Sequence, residues 1–287
     1  MQVLITGAEG QLGRELLRTA PAHMTCVSLP RHCLDISDGA SIERALELHA
    51  PVLIINAAAY TAVDQAEQDC QTAKAVNASG PALLAQAARA RDLRLVHVST
   101  DFVFDGTKST PYQPDDDTNP LSVYGASKRD GELRVLATAD DQSLIVRTGW
   151  VYSSLGNNFV NTMLRLMQQR DELGVVADQL GTPTWARGLA RALWVLAERP
   201  EATGIYHWSD AGVASWFDFA VAIEEEARRC GRLSRPVSVR PIATSDYPTP
   251  ARRPACSVLD KTATWNLLDL PPMHWRAALR EMLCEPC

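Results

Sequence analysis

The sequence lacks long runs of like charge and long apolar runs. Its 287 residues carry 28 Lys and Arg against 34 Asp and Glu, a net charge of −6 with no block of five like charges. This distribution offers no polybasic surface for a nucleic acid or an anionic membrane. No apolar stretch approaches the roughly 20 residues of a membrane span, and no charged leader with a cleavable apolar segment is visible. We therefore expect a cytoplasmic protein without nucleic-acid or membrane partners.

Paired cysteine motifs are also scarce. There are seven cysteines, and Cys284 with Cys287 forms a lone C-x-x-C near the end of the sequence. A zinc ribbon needs a second such pair, and a disulfide framework normally uses an even number of cysteines. We therefore predict reduced thiols. Apolar residues make up 46% and charged residues 22% of the chain, as in an ordinary globular enzyme.

Apolar runs of strand length alternate with helical spacing through the first 150 residues. Strands are predicted at 2–6, 24–29, 52–56, 95–99 and 144–148. Helices are predicted at 11–20, 38–48, 70–91 and 122–136, with Asp38 or Ser41 as a cap and an adjustment near Pro81. Near-continuous apolar strands that alternate with helices indicate an α/β fold, a doubly wound parallel sheet of Rossmann type.

The pattern changes after about residue 150. Helices near 159–169, 186–198 and 216–229 alternate with short strands at 175–177, 206–208 and 237–240, and the proline-rich stretch 241–254 excludes regular helix. We predict a dinucleotide-binding domain over residues 1–150 and a smaller C-terminal α/β substrate domain over 151–287. The boundary is approximate, because the chain can interleave between the two.

A glycine turn follows the first predicted strand. Residues 7–13 (GAEGQLG) place Gly7, Gly10 and Gly13 in a GxxGxxG pattern. Glycine lets the backbone approach a pyrophosphate, whose charge is stabilised by the N-terminus of the following helix. The alternative is a merely structural tight turn, and the position between a strand and a helix favours the dinucleotide site.

The end of the second strand usually selects between NAD and NADP. An acidic residue there binds the ribose hydroxyls of NAD, whereas an arginine accommodates the 2′-phosphate of NADP. This sequence has Arg31 at that point and no acid before Asp35. It therefore favours NADPH, with NADH as the alternative and a solvated Arg31 as the structural interpretation.

Tyr124 and Lys128 form a YxxxK pair. Residues four apart share one face of a helix. A phenol with a pKa near ~10 is a poor acid or base at neutral pH. A neighbouring ammonium, reinforced by the positive nicotinamide ring, stabilises the phenolate and brings that pKa towards the working range. Tyr124 can then protonate a carbonyl oxygen as hydride arrives at its carbon.

Thr100 and Asp101 follow the fourth predicted strand. Open α/β sheets bind ligands at the carboxyl ends of their strands, so both side chains are expected to face the crevice. The Thr100 hydroxyl can hydrogen-bond the oxygen of a substrate. YxxxK alone occurs by chance in many helices, but the glycine turn, strand-end threonine and YxxxK in this order indicate a reductase site.

With these features in place, the chain resembles the dTDP-4-dehydrorhamnose reductase family of the extended short-chain dehydrogenases/reductases. The matching segments span the chain: GxxGQLGRE (7–15), NAAAYTAVDQAE (56–67), VHVSTDFVFDG (96–106), YGASKRDGE (124–132), RTGWVY (147–152), NNFVNTML (157–164), VVADQLGTPT (175–184) and YPTPARRP (247–254). The resemblance implies NADPH-dependent reduction of the 4-keto group of dTDP-4-dehydro-β-L-rhamnose. That step ends dTDP-L-rhamnose synthesis, which supplies O-antigen biosynthesis.

The resemblance also implies roles for individual residues. Tyr124 would be the proton donor, Lys128 its partner and Thr100 a third catalytic residue. Cofactor contacts would come from Gly10, Gln11 and Leu12 at the pyrophosphate, from Asp35 and Ile36 near the adenine, and from Ala57, Ala58 and Ala59. Substrate contacts would come from Thr100, Asp101, Trp150 and Arg253, the last through a diphosphate.

One position departs from the family pattern. Some members form a magnesium-bridged homodimer through acidic side chains, and Glu15 and Glu285 match two of those positions. Arg187 stands where a further acid is expected, and a cation opposes a divalent metal. We therefore expect no metal site here. Glu15 and Glu285 would bind magnesium only if such a dimer exists.

Two other functions fit parts of the pattern. A nucleotide-sugar epimerase or dehydratase would keep NAD bound, and a dehydratase commonly has an Asp-Glu pair after the strand-end threonine, where this chain has Asp101-Phe102. A non-catalytic regulatory subunit, similar to that of methionine adenosyltransferase, has no chemical need for Thr100, Tyr124 and Lys128 together.

Overall fold

The computed structural model describes residues 1–139, 141–268 and 273–285. The strands are β1 (Gln2–Thr6), β2 (Thr25–Ser28), β3 (Leu53–Asn56), β4 (Arg94–Thr100), β5 (Ser143–Thr148), β6 (Val151–Tyr152), β7 (Glu172–Val176), β8 (Leu180–Gly181), β9 (Thr184–Trp185), β10 (Gly204–His207), β11 (Ala214–Ser215) and β12 (Ser238–Ile242).

The helices follow the same order along the chain. They are α1 (Gln11–Arg18), α2 (Gly39–His49), α3 (Val63–Ala66), α4 (Cys70–Lys74), α5 (Gly80–Ala90), α6 (Val123–Ala139), α7 (Phe159–Gln169), α8 (Ala186–Ala197), α9 (Trp216–Arg229), α10 (Thr262–Leu268) and α11 (Trp275–Cys284). Within the described residues, none of these helices is both long and apolar enough to cross a membrane.

A parallel sheet forms the centre of the molecule. Its order is β10-β5-β4-β3-β1-β2, and each neighbouring pair is parallel. Alternate residues of a strand pack on opposite faces, so that Val3 and Ile5 join one apolar cluster and Leu4 joins another. Helices cover both clusters, which confirms the predicted doubly wound Rossmann-type fold.

Helix boundaries follow the local signals. The Asp38 carboxylate accepts a hydrogen bond from Ala40 N at 2.9 Å and caps α2, as predicted. The predicted helix over 70–91 is interrupted by a π-helical segment at Ala75–Ser79, just before Gly80 and Pro81. Because proline has no N–H to donate to the preceding turn, the helix adjusts there.

The C-terminal part has its own apolar core. Strand β12 pairs with β7, and helices α7, α9 and α11 pack around buried residues such as Phe219 and Leu279. The sixth strand of the central sheet, β10, lies beyond residue 150 and returns to pair with β5. The division near residue 150 stays a prediction, and the chain interleaves across it.

The prediction of reduced thiols is wrong for one pair. Cys230, at the end of α9, and Cys284, at the end of α11, form a disulfide with 5.1 Å between their Cα atoms. They lie 54 residues apart in sequence. Only the packing of α9 against α11 brings them together, so their spacing gave no signal. Cys287, the other half of the C-x-x-C, lies outside the described residues.

Candidate active site

Two adjoining cavities open at the carboxyl edge of the central sheet. The first contains eight residues that were predicted to hold the cofactor: Gly7, Gly10, Arg31, Asp35, Ile36, Ala57, Ala58 and Ala59. The second has a volume of about 680 Å³ and shares Gly10, Ala57 and Ala59 with the first. An elongated ligand can therefore run from one cavity into the other across the glycine turn.

The glycine turn has little free space. Gly7 adopts φ +66°, and a Cβ there would lie 2.6 Å from the backbone nitrogen of Ala58, so only glycine fits. Gly13 lines neither cavity, and a Cβ on it would lie 2.3 Å from the Gly7 carbonyl oxygen. It therefore lets α1 pack closely against the turn, and the cofactor contact expected at Gly13 stays a prediction.

A buried hydrogen-bond network supports the strand ends behind the cavities. Thr6 Oγ1 donates to Asn56 Oδ1 at 2.6 Å, and Asn56 Nδ2 lies 2.9 Å from His97 Nδ1. Ala58 N donates to Asn56 Oδ1 at 3.2 Å. These contacts join β1, β3 and β4 and hold the 57–59 segment against the glycine turn. Sequence reasoning missed Asn56 and His97.

The cofactor-selecting residues lie at the outer wall of the first cavity. Arg31 is 72% exposed, and its Nε lies 3.9 Å from Asp35 Oδ2. Hydrogen bonds from Ser37 lower the pKa of Asp35, and the charge of Arg31 acts in the same direction. The long contact and the exposure of Arg31 leave its guanidinium accessible to an anion. Its neighbour Asp35 stays ionised at neutral pH.

The second cavity brings together the predicted chemical and substrate residues. Its walls include Gln11, Leu12, Thr100, Asp101, Tyr124, Lys128, Trp150 and Arg253. Thr100 ends β4, Tyr124 and Lys128 lie on the first turns of α6, and Trp150 follows β5. The spacing argument therefore placed these residues at one crevice.

Burial is the main influence on the pKa of Tyr124 in this structure, and the predicted lowering, which also depends on the nicotinamide ring, stays a prediction. Burial raises the pKa of Tyr124 to about 12, and the negative charge of Asp101 acts in the same direction, while a hydrogen bond from Thr100 lowers it. Desolvation of the phenolate is the largest cause of this shift. Tyr124 consequently stays protonated at neutral pH, as a proton donor requires.

Lys128 is buried and held by the sheet. It is 2% exposed, and its Nζ donates to the Val98 carbonyl oxygen at 2.7 Å. Burial lowers the pKa of Lys128 to about 8, and the charge of Glu132 opposes that shift. Lys128 is thus mainly cationic at neutral pH and faces the cavity from a fixed position.

The π-helical segment braces the helix that carries Tyr124. Asn77 is fully buried; its Nδ2 donates to Ser127 Oγ at 3.0 Å, and its Oδ1 accepts from Tyr60 N at 2.8 Å. Ser127 Oγ in turn donates to the Tyr124 carbonyl oxygen at 2.8 Å. Sequence reasoning missed Asn77, although the Gly-Pro pair that follows it marked the irregular turn.

Trp150 forms an aromatic stack at the mouth of the second cavity. Its ring is parallel to that of Trp216, with centroids 3.4 Å apart. Trp150 has φ +52°, and a Cβ on Gly181 would meet its indole at 2.5 Å. A left-handed backbone at a non-glycine residue is a strain that surrounding structure must hold. Trp216 lines the same cavity and was missed.

Arg253 lines the second cavity, and an ion pair with Asp64 holds its guanidinium. Its Nη2 lies 2.8 Å from Asp64 Oδ2, and its Nη1 donates to Asp64 Oδ1 at 3.1 Å. Ala251 N also donates to Asp64, at 3.2 Å. Asp64, on α3, therefore fixes the loop that carries Arg253. The hydrogen bond from Arg253 is the main cause that lowers the pKa of Asp64.

The three positions considered for a metal form an ion cluster instead. Arg187 Nε donates to Glu15 Oε2 at 3.0 Å, and the two Nη atoms donate to the carboxylate of Glu285. The guanidinium also lies over the ring of Trp185, 4.5 Å from its centroid. Arg18 also lies 3.6 Å from Glu15 and 3.7 Å from Glu285, so two guanidinium groups balance the two carboxylates. With Arg187 between the carboxylates, these residues do not fit a divalent ion.

Comparisons with known proteins match the chain end to end. The family model described as RmlD substrate binding domain matches residues 1–286. The dTDP-4-dehydrorhamnose reductase of Aggregatibacter actinomycetemcomitans is 44% identical, over 98% of this chain and 98% of that protein. A Streptomyces antibioticus protein named probable dTDP-4,6-dihydroxy-2-methyloxan-3-one 4-ketoreductase is 43% identical, over 98% and 94%.

A solved structure agrees with these matches. The crystal structure of dTDP-4-dehydrorhamnose reductase from Bacillus anthracis in complex with NADP has a TM-score of 0.93 and 35% sequence identity, with 99% of both chains covered. The relatives above 40% identity are likewise covered almost completely. The chain therefore belongs to the RmlD substrate binding domain family, in which its matched relatives include dTDP-4-dehydrorhamnose reductases.

Proposed function

We propose that this chain reduces the 4-keto group of dTDP-4-dehydro-β-L-rhamnose to give dTDP-L-rhamnose, with NADPH as the hydride donor. The observation that carries the proposal is that Tyr124, Thr100 and Lys128 line one cavity, which adjoins the glycine turn. The family match supports the same reaction. A binding-only subunit would not need this set of groups.

The first cavity is suited to a dinucleotide. Gly7 and Gly10 leave the backbone accessible beside the N-terminus of α1, which attracts the pyrophosphate. Ile36 and Ala58 give an apolar wall on the adenosine side, and Arg31 is free to pair with a 2′-phosphate. When bound, NADPH supplies the hydride for the reduction.

Tyr124 completes the reaction by protonating the substrate oxygen. The O–H bond of the phenol breaks as the oxygen of the ketone becomes a hydroxyl. The Thr100 hydroxyl donates a hydrogen bond at the same oxygen, where negative charge develops. Lys128, held by Val98, stabilises the phenolate that is left on Tyr124.

The sugar nucleotide would occupy the second cavity. Arg253 is positioned by Asp64 to meet a diphosphate with a planar, bidentate donor set. Trp150 and Trp216 offer apolar surface for a deoxysugar ring. The relatives from Aggregatibacter actinomycetemcomitans and Streptomyces antibioticus are named for different dTDP-sugars. The shape of the cavity wall formed by Trp150 and Trp216 would therefore determine which sugar binds.

The proposal extends to cofactor choice and metal. NADPH is favoured over NADH by Arg31. Turnover requires no magnesium, because Arg187 and Arg18 together balance the charges of the two carboxylates at positions 15 and 285. A homodimer, if formed, would then not depend on a metal bridge. A cytoplasmic location belongs to the same proposal.

The experiment follows NADPH oxidation with dTDP-4-dehydro-β-L-rhamnose as the acceptor. Tyr124→Phe removes the proton donor, so kcat should fall by about 10²–10⁴-fold while NADPH binding is kept. Tyr60→Phe is the matched control, because the Tyr60 hydroxyl contacts Asp69 at 3.5 Å and lies outside both cavities.

Near-full turnover of Tyr124→Phe would remove Tyr124 from the mechanism. Bound NAD in the purified protein, with sugar conversion but no net NADPH oxidation, would favour an epimerase or a dehydratase instead.

A further inference from the structure

Gln11 joins the glycine turn to the C-terminal part of the chain. It is the first residue of α1 and follows Gly10, which lines both cavities. Its side-chain Nε2 donates to the Val151 carbonyl oxygen at 3.1 Å, and its Oε1 accepts from Asn158 Nδ2 at 3.4 Å. These partners lie 140 and 147 residues away in sequence. Both polar groups of the Gln11 amide are therefore engaged with residues that line the second cavity.

Asn158 closes the loop of residues 153–158, which follows β6. Its Nδ2 also donates to the Ser153 carbonyl oxygen at 2.9 Å, while its Oδ1 caps the N-terminus of α7. The loop packs beside Gln11, because a Cβ on Gly156 would lie 3.9 Å from Gln11 Cβ. Gln11 thus supports this loop both by a hydrogen bond and by van der Waals contact.

The two sides of this contact face different ligands of the proposed reaction. Gly10 and the N-terminus of α1 face the pyrophosphate of the cofactor, and the first N–H groups of a helix have no partner within it. A pyrophosphate contact at Gln11 would therefore use its backbone, since its amide is engaged elsewhere. Asn158 lines the cavity proposed for the sugar nucleotide, and Val151 follows Trp150 in the wall of that cavity.

We propose that Gln11 is a positioning residue that couples the two ligands: NADPH at the glycine turn fixes Gln11 and, through Val151 and Asn158, the wall of the sugar-nucleotide cavity. Each ligand then raises the affinity for the other. The inference rests on the proposed function, which names the two ligands. A ligand that orders a shared set of contacts lowers the cost of ordering them for the second ligand. Such coupling is reciprocal and typically changes affinity by about 5–150-fold.

The main test uses NADPH and dTDP-L-rhamnose, the proposed product, as the two probes. Both are reduced, so no hydride passes between them and the ternary complex stays unchanged during the measurement. Calorimetric titration gives the Kd of dTDP-L-rhamnose without NADPH and with saturating NADPH. In the unsubstituted protein, NADPH should lower this Kd by about fivefold or more.

Gln11→Met removes both hydrogen bonds of the amide and keeps the length of the side chain. NADPH should then lower the Kd of dTDP-L-rhamnose by less than about twofold. Gln142→Met is the matched control, because Gln142 precedes β5 at the opposite edge of the sheet, donates to Asp92 and lines neither cavity. It should keep the coupling of the unsubstituted protein.

Three results would overturn the proposal. If NADPH leaves the Kd of dTDP-L-rhamnose unchanged in the unsubstituted protein, the two sites are independent. If Gln11→Met keeps the full effect of NADPH, the coupling runs through other residues. An equal loss in Gln142→Met would show a general effect on the fold. The proposed function fails on a different result, namely that the unsubstituted protein does not oxidise NADPH with dTDP-4-dehydro-β-L-rhamnose.

Asn158→Ser provides a second test if Gln11→Met does not fold or does not bind NADPH. Serine keeps an oxygen that can cap α7, but it has no amide to donate to Gln11. The effect of NADPH on the Kd of dTDP-L-rhamnose should fall to about half or less, while the Kd of NADPH alone stays within about twofold. An effect equal to that in the unsubstituted protein would refute the coupling through Gln11.

Discussion

Replacing Arg187 by leucine should destabilise the fold without making turnover depend on magnesium. Arg187 forms ion pairs with Glu15, whose side chain is 1% exposed, and with Glu285, whose side chain is 20% exposed. Its removal leaves two carboxylates close together, with the exposed guanidinium of Arg18 beside them at 3.6 and 3.7 Å. Loss of one partner from a buried pair costs roughly 3–5 kcal/mol. The partial exposure of Glu285 and the presence of Arg18 put the expected loss at the lower end, about 3 kcal/mol.

The assay is thermal and denaturant unfolding, with steady-state reduction measured with and without EDTA. A loss of about 3 kcal/mol corresponds to a fall in Tm of roughly 6–12 °C in a chain of this size. Arg18→Leu is the matched control: Arg18 lies 3.6 Å from Glu15 and 3.7 Å from Glu285 but is 53% exposed, so its loss should cost about 0–1 kcal/mol.

Measurements on the unsubstituted protein test whether it binds magnesium. Its turnover, its Tm and its sedimentation coefficient should be the same with EDTA and with added Mg²⁺. If chelation abolishes turnover or dissociates a dimer, and Mg²⁺ restores it, the acidic positions bind metal despite Arg187. If Arg187→Leu is as stable as Arg18→Leu, the cluster contributes nothing and the reasoning from burial is refuted.

Two further predictions concern cofactor choice and acid stability. Arg31→Ala should weaken NADPH binding by about 1.5–3 kcal/mol and leave NADH binding nearly unchanged in titrations of both cofactors, whereas equal losses would show that Arg31 does not contact the 2′-phosphate. Hydrogen bonds from two arginines lower the pKa of Glu226 to about 2, so its contribution to stability is present above its unfolded pKa and is lost as pH falls through the folded value. The free energy of unfolding, measured with denaturant from neutral to acid pH, should therefore fall less for Glu226→Gln than for the unsubstituted protein. The same pH dependence in both proteins would contradict the lowered pKa of Glu226.

Much of the fold and the outline of the site followed from the sequence alone. Apolar runs of strand length and helical spacing determine which face each segment buries, and this information is local. The glycine turn is readable for the same reason, because a positive φ at Gly7 and a close approach to Ala58 exclude larger residues. Thr100, Tyr124 and Lys128 could be placed at one crevice because strand ends and helix faces follow from chain order.

The tertiary structure decided the properties that depend on distant neighbours. Burial raises the pKa of Tyr124 and also that of Asp101, which the sequence around them does not reveal. Arg253 meets Asp64 across 189 residues, and Arg187 meets Glu15 across 172. Desolvation and ion pairing depend on which side chains meet in space, and one sequence without its fold does not give those distances.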